Sequence, residues 1–134
     1  MNRKTARENA FILLFETAIK EDETAEEIFE KATNIRELEC DDFVKRVFFG
    51  VNENSRVIDE CIEKSLLGWK KNRISFVSMA ILRLAVYELM FSEDIPTKVS
   101  INEAIELSKK YDDDKEYMLV NGVLNSAAEA LERK

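Results

Sequence analysis

Three basic residues crowd the start of the chain: Arg3, Lys4 and Arg7. Helix starts favour acids, because the peptide dipoles leave partial positive charge there. Bases in that place break a local rule, and such breaks often serve function. Arg3 and Arg7 are four apart, so on a helix they share a face and could grip a phosphate backbone. The alternative is a solvated end with arbitrary charges. A second basic cluster, Trp69-Lys70-Lys71-Asn72-Arg73, joins charge to an aromatic ring. That combination can hold single-stranded nucleic acid by phosphate pairing and base stacking. The alternative there is a tryptophan buried at a helix corner with solvated lysines beside it.

Other chemistries are restricted. The chain has no histidine, which removes the usual zinc site, the Ser-His-Asp triad and the Cys-His pair. Cys40 and Cys61 read as reduced, partly buried thiols in a chain with no secretory signal. The run Asp112–Asp114 lacks the alternating ligands and sixth-position glycine of a calcium loop, so it reads as a solvated turn. Arg83 and Glu88 lie inside an apolar stretch, five apart, and so should pair with other helices rather than with each other. No cofactor and no catalysis are expected.

The net charge of −7 hides segregation. Residues 21–43 hold ten acids and two bases, whereas Lys64 to Arg83 holds five bases and no acid. A basic face on an acidic protein is therefore allowed. No apolar run approaches the roughly 20 residues that span a bilayer, so no membrane role is expected and the expected location is cytoplasmic.

These side chains must be carried by helices. The 134 residues include only three glycines and one proline, so few turns are marked and the elements should be long. Residues 4–19 have helical spacing with a wide apolar face. Thr24 with Glu27 forms a capping box for a short helix, and Asn34–Cys40 connects it onward. Asp41 or Asp42 caps a helix with the stripe Phe43, Val44, Val47, Phe48 and Val51. Gly50 either weakens its last turn or sits at a close contact. Asn52–Asn54 is a turn or kink, and Gly68 is a stop for the helix through Val57 to Leu66. Ile74 to Phe91 is apolar on nearly all sides, which predicts a central, covered helix. Ser100 and Glu103 read as a second capping box, with Val99 and Ala104 at the staple positions. A last helix carries Val120, Val123, Leu124, Ala127 and Leu131. Gly122 within it predicts a close helix crossing, with Asn121 free to bond a neighbouring backbone group. The sum is an all-α chain, a compact bundle of about seven helices in one domain over residues 1–134.

Three blocks give this bundle a resemblance. ILRLAVYEL resembles the ILR-x-A-x-YEL of the NusB transcription-antitermination family, and DIPTKVSINEAIEL and VNGVL resemble the blocks that follow it there. RKTARENAFILLFE resembles the family's arginine-rich start, and WKKNRI its W-x-x-x-R-I. The likeness covers almost the whole chain. It implies two helical sub-bundles and a factor that binds the boxA element of nascent ribosomal-RNA transcripts with ribosomal protein NusE, within the RNA polymerase antitermination complex. By position it implies RNA contacts at Arg3, Lys4, Arg7, Lys115 and Tyr117, and partner contacts at Lys115 and Leu119; Lys71 and Arg73 of the basic connector are further RNA candidates, and Ser78 a further partner candidate. Thr5, Phe15, Lys115 and Leu119 depart from frequent family residues, which implies weaker or more NusE-dependent RNA binding. The competing reading is a helical accessory module of the kind fused to RNA cytosine methyltransferases. A third is a scaffold that only forms a homodimer.

Overall fold

Side-chain caps set most of the helix starts. The computed structural model describes residues 1–133. In α1 (Arg3–Ile19) the Asn2 side chain accepts the Thr5 N–H at 2.8 Å. In α2 (Ala25–Asn34) the reciprocal Thr24–Glu27 box is complete. Asp41 caps α3 (Asp42–Glu53) by accepting the Val44 N–H at 2.9 Å, and the expected stripe from Phe43 to Val51 is buried. Asn54 breaks the chain into α4 (Ser55–Lys64), and Gly68, with φ +98°, lies beyond its end. A short 3-10 turn at Lys71–Arg73 precedes α5 (Phe76–Phe91), which is capped by Ser75. Then follow α6 (Thr97–Tyr111) and α7 (Glu116–Ala130). The described residues contain seven α-helices and no strand.

Helix α5 is the axis. It packs on α1, α3, α4, α6 and α7, while α2 leans on α1. Its side chains are buried almost all round, among them Ile81, Leu82, Val86 and Leu89. Helix α1 packs on α2 and α3, and α7 on α4 and α6, so two groups meet through α5.

Two expectations need correction. Helix α6 begins a turn before the predicted Ser100–Glu103 box, directly after Pro96, whose φ of −58° is preset for a helix start. Ser100 is inside the helix and buried, and its hydroxyl donates to Glu88 Oε1 at 2.8 Å. It serves the buried carboxylate and not the helix end. Val99 is exposed and makes no staple. The predicted close crossing at Gly122 is also absent: a Cβ there would have Trp69 Nε1 as its nearest neighbour, at an ordinary 3.9 Å. Asn121 accepts from its own helix, from Asn125 Nδ2. The close contact belongs to Gly50, where a Cβ would come within 2.5 Å of the Tyr87 ring.

Candidate RNA and partner surface

The N-terminal bases share one face of α1 but have different fates. The exposed Arg3 lays its guanidinium over the Phe43 ring at 4.0 Å, with Arg46 and Arg7 near the same ring at 5.7 and 5.8 Å. Stacking on the negative ring face offsets part of the mutual repulsion. Lys4 extends into solvent, its Nζ 3.9 Å from Glu103. Arg7 is turned inward. Its Nε and Nη2 donate to the Glu88 carboxylate at 2.8 and 3.2 Å, and its Nη1 lies 3.8 Å from Glu103. Arg7 and Glu88 are both buried, so Arg7 offers little charge to an outside ligand. Its spacing with Arg3 hides this, but Arg7 lies one turn before the buried Ala10 and Phe11, a position that reads as core. Arg83 and Glu88 do pair across helices: Arg83 donates to Asp59 at 2.9 and 3.1 Å, and Glu88 holds Arg7.

A second cluster forms where α5 begins. Ser75 and Ser78 hydroxyls both donate to Asp112 Oδ2, at 2.8 and 2.7 Å. Asp112 is thus a structural tie between α5 and the α6–α7 turn, while Asp113 and Asp114 face solvent as expected. Ser78 is fully buried and Leu119 nearly so, so both support this end of the molecule from inside. Lys115 is exposed and takes a left-handed φ of 77° before α7. Tyr117 is partly exposed, with Lys109 Nζ 4.9 Å from its ring centre. The tie also brings the exposed Phe76 to this end. All-round apolarity in α5 concealed Phe76, because periodicity does not tell which apolar face lacks a neighbour.

Trp69 is 46% exposed, so it is not the buried corner residue of the alternative reading. It lines a shallow cavity of about 290 Å³ with Gly68, Lys70, Arg73, Glu116 and Leu119. Lys71 Nζ reaches Glu63 at 3.3 Å. The connector and the start of α7 therefore adjoin, whereas Arg3 and Lys4 reach the same region only along α6. Burial raises the pKa of both Cys40 and Cys61, and both are free thiols. Among the described residues no group of acids and cysteines could hold a metal ion, and no helix is long and apolar enough to cross a membrane.

This architecture has relatives. The transcription antitermination protein NusB of Clostridium botulinum (strain Alaska E43 / Type E3) is 46% identical, over 94% of this chain and 97% of its own. That of Clostridium novyi (strain NT) is 44% identical, over 97% of this chain and 100% of its own. Among solved structures, T. maritima NusB superposes with a TM-score of 0.83 at 37% identity, covering 96% of this chain and 92% of that one. A chain from the crystal structure of antitermination factors NusB and NusE in complex with dsRNA also gives 0.83, at 30% identity, covering 96% of both chains. The model of the NusB family matches residues 4–129, and the chain belongs to the NusB family.

Proposed function

We propose that the chain acts in transcription antitermination by binding boxA-type RNA of nascent ribosomal transcripts together with NusE, without catalysis. The observation that carries this reading is its near full-length likeness to the chain from the NusB–NusE–dsRNA structure. The charge distribution supports it. Arg3 and Lys4 project from a first helical turn that contains no acid, and Arg73 and Lys115 are exposed. Tyr117 supplies a partly exposed ring for stacking. Lys71 adds charge beside Trp69. Arg7 serves this surface by fixing α1, the helix that presents Arg3 and Lys4. The partner face is Phe76 with Lys115, shaped from beneath by Ser78 and Leu119.

The test is binding to a boxA RNA, with and without NusE, across a salt series. Three to five phosphate contacts give a log–log slope of roughly −2 to −4 for single-stranded RNA. Arg3→Ala combined with Lys4→Ala should weaken binding and flatten that slope by about 1.4, with helicity unchanged. Equal affinity of variant and parent would remove the N-terminal assignment.

A further inference from the structure

Helices α1 and α6 both rest on α5 and leave a groove of about 350 Å³ between them. Two lysine ion pairs cross it. Lys110 Nζ meets Glu8 Oε2 at 2.6 Å, and Lys4 Nζ lies 3.9 Å from Glu103 Oε2. The lysine side chains are 60% and 70% exposed, but Glu8 and Glu103 are only 28% and 24% exposed. The carboxylates are thus seated in the groove wall, while the ammonium groups lie at its rim. Glu103 is held further by Arg7 Nη1 at 3.8 Å. A phosphate approaching either lysine meets a fixed negative charge within a few ångströms, well inside the screening length of about 8 Å at physiological salt.

We propose that Glu8 and Glu103 form an electrostatic brake on RNA binding. They hold Lys110 and Lys4 in intramolecular pairs for which RNA phosphates must compete. The inference rests on the RNA-binding reading above. It also assigns Lys110, which that reading leaves out, to the RNA track between Lys4 and Tyr117. Such exposed pairs are individually weak, so exchange for a phosphate is rapid and cheap. What they set is the resting affinity: each paired lysine counts as less than one phosphate contact.

The experiment uses the full chain with NusE and a boxA RNA, with Glu8→Gln, Glu103→Gln and the control Glu60→Gln. Glu60 pairs with Arg56 on α4, so its substitution changes the net charge equally elsewhere. Glu8→Gln and Glu103→Gln should each tighten binding by about 1.5- to 5-fold at low salt and steepen the log–log slope by up to about 0.7. Glu60→Gln should leave both unchanged. Adding Lys110→Gln should abolish the gain from Glu8→Gln, an outcome that a mere change in fold stability would not produce. The brake is overturned if either groove variant binds no more tightly, if Glu60→Gln gains as much, or if the gain persists without Lys110. Should the parent chain itself show no salt-dependent binding, the RNA reading falls and the brake with it. If the parent binds and the groove variants do not differ from it, only the brake falls.

Discussion

The Arg7 guanidinium and the Glu88 carboxylate meet at 2.8 Å in the interior, joining the first helix to the central one across 81 positions of sequence. Ser100 from α6 donates to the same carboxylate, so three helices converge on one buried charge. Removing one partner of a buried pair strands the other, at a cost of about 3–5 kcal/mol. Arg7→Ala and Glu88→Ala should each lose about that much in urea unfolding. Replacing both with apolar residues of similar volume should cost much less. Two single losses that simply add would contradict a coupled pair. Arg3→Ala, four residues away and exposed, loses only its stacking on Phe43 and should change stability by no more than about 1 kcal/mol.

The two helical glycines should respond oppositely to alanine. Gly50→Ala drives a methyl into the Tyr87 ring, and overpacking of this kind costs about 1–3 kcal/mol. Gly122→Ala finds only Trp69 at van der Waals distance and gains the helix-propensity difference of about 1 kcal/mol. Thermal melts of the two variants give the signs directly. Tyr87→Leu should rescue Gly50→Ala in part.

Ser78 and Ser75 share Asp112. Ser78→Ala should cost about 1.5–3 kcal/mol, the range for a hydrogen bond to a charged acceptor. Asp112→Ala removes the acceptor for both hydroxyls and should cost more. It should also loosen the α6–α7 turn, seen as faster amide exchange at Lys115 to Tyr117.

Phe76 is 61% exposed, so Phe76→Ala should leave the melting temperature nearly unchanged. If NusE sits on this end, the same substitution should weaken NusE binding by about tenfold, the scale of one aromatic contact at an interface. Calorimetry on parent and variant decides this.

Burial holds both thiols above the ordinary cysteine pKa; Asp41 adds to this at Cys40, while a Ser65 hydrogen bond and Lys64 oppose it at Cys61. The folded state thus favours the protonated thiol. That contribution to stability is complete below the unfolded pKa and is lost as pH rises through the folded one. Iodoacetamide should therefore label both slowly at pH 7 and faster by about tenfold per pH unit above it, and urea should raise the rate at neutral pH by removing the burial. Rapid labelling of folded protein at neutral pH would contradict the burial.

The element order was legible from sequence because it rests on local rules. Apolar period, the Thr24–Glu27 box, the Asp41 cap and the breadth of apolarity in α5 each act within a few residues, and each is found where the pattern put it. The start of α6 was not legible, because Ser-x-x-Glu has the same spelling whether the serine caps a helix or serves a carboxylate twelve residues earlier. The same holds for the candidate site. Sequence placed Arg3 and Arg7 on one face, and helical geometry agrees. Only the packing of α1 on α5 decided that Arg7 turns inward to Glu88 while Arg3 and Lys4 stay outside. Only the docking of α6 beside α1 set Glu8 and Glu103 against the lysines. Charge and spacing are properties of the chain, but whether a charge is free, paired or buried depends on which helix lies against it.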